Sequence, residues 1–215
     1  MKTRNKALLL SLCAVMLVAA SVFGTVAYLT STDAVENTFT VGTVAITLDE
    51  ADVKTDGSYE TNAENRTDAN QYLLMPGHTY IKDPTVHVAN GSQDCWLFVK
   101  VENGIADIEA AASSNYSPIA SQIAANSWTA LAGVENVYYK EYDMDAEPLV
   151  SDYVVFADFK IDGDKAVNVP AGETVPEGKY NIADYASAKI TVTAYAVQKD
   201  GFGTADAAWE ATFGN

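Results

Sequence analysis

Cysteine is nearly absent: Cys13 and Cys95 are the only two in 215 residues. Cys13 sits in the apolar run near the N-terminus, so removal of that run would leave no possible internal disulfide, and stability would rest on a packed core. Leu12 occupies the place where a lipoprotein signal needs a small residue, so no lipid anchor is expected. Histidine is as scarce, with only His78 and His87. Neither is followed by glutamate, so the paired helical histidines of a zinc protease are missing. No serine lies in a nucleophile-elbow pattern, and no glycine-rich phosphate loop or cysteine pair for metal occurs. Basic residues are few, 13 against 29 acidic ones, for a formal net charge of -16. Three of the 13, Lys2, Arg4 and Lys6, fall in the predicted signal described below, so its loss would move the balance to -19. That balance disfavours nucleic acid and anionic membrane surfaces as partners and suits a soluble protein outside the cell. Internal repeats and low-complexity tails are also absent.

What is present begins with an address. Residues 1–6 are basic, residues 7–23 are apolar, and small residues lead to a cleavage junction expected between Ala27 and Tyr28. Contact with the membrane would then be transient. The alternative is an uncleaved anchor, because the apolar run can be extended to Leu29 and approaches the roughly 20 residues that cross a bilayer. Three parts are expected: a signal at 1–27, an N-terminal extension at 28–42, and one β-domain at 43–215. The last two together hold about 188 residues, enough for a sizeable core.

Residues 24–48, GTVAYLTSTDAVENTFTVGTVAITL, contain a change of phase. Phe39 and Val41 alternate on one register and Val44, Ile46 and Leu48 on the other, with the switch at Gly42-Thr43. A glycine at such a switch predicts a bulge or bend. Gly42 is therefore the expected hinge between a segment free to leave and a strand committed to its own domain.

Further on, residues 49–70 are polar and acidic and predict a long exposed loop with a short strand near Tyr59. Residues 93–102 alternate most clearly, with Cys95, Leu97, Val99 and Val101 on one face and Trp96, Phe98, Lys100 and Glu102 on the other. Asn90-Gly91 before them is a hairpin-type turn. Residues 105–112 and 118–126 show helical spacing, with Pro118 suited to a first helical turn. Residues 153–161 read as one strand and residues 189–198 as a last long one. Thr204 is placed to cap a helix carrying Ala205, Ala208 and Trp209. The strand spacing predicts a mainly β protein, an antiparallel sandwich or jelly roll with two or three short surface helices.

Candidate chemistry is thin. His78 and His87 with acidic partners would make a two-histidine zinc site, though without ligand spacing. Cys95 and His87, on either side of Asn90-Gly91, would face each other if the two strands formed a hairpin; core packing is the simpler reading of Cys95. Asp158, Asp162 and Asp164, and separately Asp143, Asp145 and Glu147, are the acids best placed to ligate calcium, the one cofactor left open. Their spacing does not match an EF-hand loop. Asn65, Asn90 and Asn115 head formal glycosylation triplets.

Residues 24–48 resemble the signal and first strand of the TasA/camelysin family, in which a G-T-x-A-Y-(F/L) block precedes N-T-F-x-x-G and an alternating strand. Here those blocks are residues 24–29, Asn37 to Phe39, and Gly42. MPGHTYIKDPTVHVANGSQDCWLFVKVEN and AYAVQKDGFGTADAAWEA look like the family too, so the resemblance spans nearly the whole chain. It implies processing by a SipW-type signal peptidase, export to the surface or matrix of a Gram-positive bacterium, and a jelly-roll-like domain without enzymatic activity. It also implies assembly into homopolymeric matrix fibres, with other matrix proteins as further candidate partners. The donated strand would begin at Tyr28 and include Leu29, Val35, Phe39 and Val41. Two alternatives accompany the resemblance: a camelysin-like surface metallopeptidase, for which no metal motif is present, and a non-polymerising accessory or adhesion protein of the same fold.

Overall fold

The structure, a computed structural model, describes Lys6, residues 11–17 and residues 43–214. Contacts divide the chain into two units, Met1–Val41 and Gly42–Asn215. In the first, residues 11–17 are helical and exposed. No helix among the described residues is long and apolar enough to cross a membrane. The expected cleavage pair Ala27 and Tyr28, the donor residues Leu29, Val35, Phe39 and Val41, and the hinge Gly42 lie outside the described residues.

The second unit is mainly β. Its strands begin with β1 (Ile46–Ala51), β2 (Arg66–Thr67), β3 (Thr79–Ile81), β4 (Thr85–Val88) and β5 (Cys95–Asn103). They continue with β6 (Thr129–Ala130), β7 (Val137–Tyr142), β8 (Asp152–Val154) and β9 (Asp158–Lys160). β10 (Ala166–Val167), β11 (Tyr180–Asn181) and β12 (Ile190–Gln198) complete the series. Three short helices accompany them: α1 (Ile119–Ala125), a 3-10 turn at Ile182–Tyr185, and α2 (Ala205–Phe213).

Two four-stranded antiparallel sheets, ordered β2-β1-β4-β8 and β12-β5-β7-β6, share one core. Val86 and Val88 of the first sheet meet Cys95, Leu97, Val99 and Val101 of the second there. Small pairs add to this frame, β3 with β9 antiparallel and β10 with β11 parallel.

Strand β5 shows why it is the spine. Its apolar face enters the main core, while Trp96 and Phe98 on the other face enter a second cluster under α2. Thr204 caps α2 by accepting from the Ala207 amide at 3.2 Å, as its position predicts. Trp209 then packs on Phe98 and Tyr195, with ring centroids 5.1 and 5.7 Å away. Pro118 precedes α1, whose Ile119 and Ile123 are buried.

Three expectations are corrected. Residues 105–112 are not a helix: 105–108 are a turn, Glu109 forms a bridge and 110–112 are irregular. The Ala110 amide bonds the Lys160 carbonyl at 2.8 Å, and Glu109 bridges to Ile161, so pairing with the β9 region claims the backbone that a helix would use. Residues 153–161 break into β8 and β9, which belong to different sheets. Val155 and Phe156 between them are both fully buried, and strict alternation cannot bury two neighbours on one face. Finally, residues 49–70 do not form a free loop: β1 runs into them, β2 pairs back on Glu50 and Ala51, and Val53 bridges Tyr59. The turn at Gly57 requires glycine twice over, since its φ is +79° and a Cβ would sit 2.7 Å from the Tyr80 Cα.

Candidate functional site

Strand β12, ITVTAYAVQ, contains no charged residue, no proline and no glycine. It pairs along its full length with β5, from Ile190 opposite Asn103 to Gln198 opposite Cys95. It is also the end strand of its sheet, with no partner on its other side among the described residues. Natural sheet edges are normally guarded by charge, proline or a bulge, because unpaired backbone groups recruit further strands. This edge has none of those guards.

The side chains tell the same story. Val192, Ala194 and Ala196 face the core opposite Val101, Val99 and Leu97. The β5 partners are buried, whereas the β12 residues are only half-buried. Across the sandwich, β1 lies next to β12, and its Ile46 and Leu48, with Val44 just before it, are half-buried as well. Strand β2 covers β1 only at Glu50 and Ala51. A strip of incompletely covered apolar surface therefore runs between the two strands.

The other end of β1 is held by charge. Arg66 Nε donates to Asp49 at 2.7 Å and its Nη1 to Asp83 at 2.6 Å. Asp83 in turn accepts the Ala51 amide at 2.6 Å. Lys82 pairs with Glu50, and both are buried, 9% and 4% exposed. Glu50 also accepts from the Asn70 backbone and side chain at 3.1 and 2.9 Å. Asn70 then accepts the Val53 amide at 2.9 Å, which closes the acidic segment onto β1. His87 on β4 completes the clamp, with Nδ1 2.7 Å from Asp152 of β8 and Nε2 3.0 Å from Asp49 of β1. Burial alone would push the His87 imidazole down, but the Asp152 and Asp49 carboxylates outweigh it and hold it above its ordinary value. Burial likewise pushes Asp49 up, and His87 and Arg66 outweigh that to hold its carboxyl below the usual range.

The candidates from sequence are dispersed. His87 and Cys95 do not form a hairpin pair: β4 and β5 lie in opposite sheets. Cys95 is fully buried, and burial pushes its thiol up to about 12, so it behaves as a small core residue. His78 donates through Nε2 to the Asp56 carbonyl at 2.7 Å and stacks edge-on against Tyr80. Asp162 is spent on its own turn, accepting the Asp164 and Lys165 amides at 2.8 and 2.9 Å. Asp158 instead takes a bond from Gln122 at 3.1 Å, and burial pushes its carboxyl up. Asp143 accepts the Asp145 amide at 2.9 Å. No group of three or more His, Cys, Asp or Glu side chains able to hold a metal occurs among the described residues.

Sequence reasoning passed over Arg66, Lys82, Asn70 and Lys140. The available signal for the first was its isolation: Arg66 is a lone guanidinium within an acidic stretch, a residue type suited to bidentate pairing. Comparison with known proteins leaves the geometry to speak for itself: no family model, no curated protein and no solved structure matches the chain.

Proposed function

We propose that the chain is a secreted structural subunit of extracellular matrix fibres that assembles by passing residues 28–42 to the next copy. The observation that carries this reading is the unguarded edge of β12 over nine residues, flanked by half-covered apolar side chains of β12 and β1. An incoming strand would satisfy the free backbone groups of that edge and cover the strip. Residues 28–41 extended span about 46 Å at roughly 3.3 Å per residue, more than the about 30 Å of β12. Repeated head to tail, the contact gives an open filament. Cleavage by a SipW-type peptidase, a jelly-roll arrangement of the sheets, and location in the matrix or on the surface of a Gram-positive cell belong to the same proposal.

Electron microscopy of the mature protein with and without residues 28–42 tests it. Filaments are expected from the intact chain and only monomers from the truncated one. A synthetic peptide of residues 28–42 should bind the truncated chain and stop filament growth of the intact one. Filaments formed equally well by both proteins would refute strand donation.

A further inference from the structure

The opposite side of the sandwich carries a cleft of different character. Strand β8 ends its sheet, and β6 covers β7 only at Tyr138 and Tyr139. Lys140–Tyr142 of β7 and Asp152–Val154 of β8 thus each present a side with no strand among the described residues. Between them lies a cavity of about 390 Å³ reached by Asn126, Lys140, Asp143, Val150 and Tyr153. Val150 and Val154 give it an exposed apolar rim, 47% and 39% exposed. The back wall is preassembled, since Trp128 Nε1 donates to the Val154 carbonyl at 2.9 Å and Asn126 Nδ2 to the Val155 carbonyl at 3.2 Å.

The three acids of this cleft each have a polar partner, and its one lysine has none among the described residues. Glu141 is paired with Lys199, Asp152 with His87, and Asp143 with the Asp145 amide. Lys140 Nζ has only ring faces, 5.4 Å from the centroid of Trp128 and 5.3 Å from that of Tyr153. It is half-buried with no acceptor among the described residues, in a protein of net charge -16. Burial pushes its amine below the ordinary value, a cost that an arriving carboxylate would offset.

We infer that this cleft binds an extended peptide segment of a partner protein carrying a carboxylate, its acid group placed on Lys140 Nζ. The segment's backbone pairs with the Asp152 amide and carbonyl and the Val154 amide of β8, since Trp128 already holds the Val154 carbonyl. Apolar side chains of the segment on the same face would cover Val150 and Val154, and main-chain pairing would supply affinity while the single cation supplies selectivity. The site is distinct from the β12 edge and does not depend on strand donation there.

The test uses two acetylated nonapeptides of alternating Thr and Val, one with a central Glu and one with Gln, titrated into the mature protein by fluorescence anisotropy. The Glu peptide is expected to bind about tenfold more tightly, as a charge-assisted bond predicts. Lys140→Met should abolish that preference with an unchanged circular dichroism spectrum, and Lys140→Arg should retain it. Val154→Asp, at the exposed rim, gives an independent check and should weaken the Glu peptide more than the Gln peptide. No binding, equal binding of the two peptides, or a preference that survives both Lys140→Met and Val154→Asp overturns the assignment. A preference that is lost only in copies that have self-associated assigns the cleft to a second copy instead, and overturns the partner reading.

Discussion

Strands β1 and β12 run side by side along one flank of the sandwich, yet they are finished in opposite ways. The C-terminal half of β1 is tied down by Arg66, Lys82, Asn70 and His87, which reach its Asp49, Glu50 and Ala51 from three other segments. Strand β12 has no charge in nine residues and no hydrogen-bonded strand on its outer side among the described residues. Water competes well for an exposed ion pair and poorly for a buried one, so the clamp on β1 is strong only where Glu50 and Lys82 are enclosed. At β12 no charged group competes, and on the proposed reading the free backbone is the main source of affinity for an incoming strand. The contrast teaches that one sheet pair can close one edge with charge and leave another without it, and on the proposed reading the uncharged edge is the receptive one.

The comparison is broken most completely by placing charge on β12. Thr191→Lys puts an exposed cation on the open edge opposite Glu102, a device that natural sheets use against edge pairing. On the proposed reading, filaments should disappear from electron micrographs while the far-ultraviolet circular dichroism spectrum stays the same. Filaments of unchanged abundance would move the acceptor away from β12.

Removing charge from the β1 clamp should affect stability instead. Lys82→Met leaves Glu50 buried without its partner and is expected to cost about 3–5 kcal/mol in urea unfolding. The double variant Glu50→Leu with Lys82→Met should recover most of that loss, because no charge is then stranded. Asn70→Ala should cost about 2 kcal/mol, since it strips the Val53 amide and one Glu50 oxygen of a partner. Hydrogen exchange should accelerate most in residues 52–70, with a smaller change in β5 and β12 that matches the loss of global stability.

The smallest effect sharpens the comparison through pH. His87 is held above its ordinary value in the folded state, so its stabilisation is fully present below about pH 6.5 and is lost as pH rises through the folded value. Between pH 6 and 8.5 the wild type should lose more stability than His87→Gln, by under about 1 kcal/mol because Asp152 is largely exposed and screened. Both proteins also lose stability from growing net negative charge, so the difference between them is the measurement. Equal slopes would remove His87 from the clamp.

Much of the frame was legible from alternation and end signals alone. Residues 93–102 and 189–198 each place apolar residues at every second position along one face, and both became the long paired strands β5 and β12. Thr204 followed by Ala205, Ala208 and Trp209 announced α2 because a cap and an apolar stripe are local properties. The helical spacing of residues 105–112 misled, since Ile105 and Ile108 are buried through a turn and the Glu109 carboxylate is drawn to Tyr116 and Ile119 at 2.7 Å each. Residues 49–70 misled in the other direction. Their polarity read as exposure, but Arg66 and Asn70 find partners on β1 that are 17 to 20 residues away. As for the candidate site, the absence of charge from β12 could be read directly, whereas its being an edge strand could not.

The sequence by itself determined that this protein would rest on a disulfide-free, mainly β core with acidic surroundings, because cysteine count, charge and apolar period are additive along the chain. It also set the two faces of β5, since side chains in a strand must alternate. Only the tertiary structure decided which strands end their sheets, that Lys82 is paired with Glu50 inside the protein, and that Lys140 is left between Trp128 and Tyr153. Those outcomes depend on which segments meet across dozens of residues, and pairing between distant segments has no periodic trace in either one.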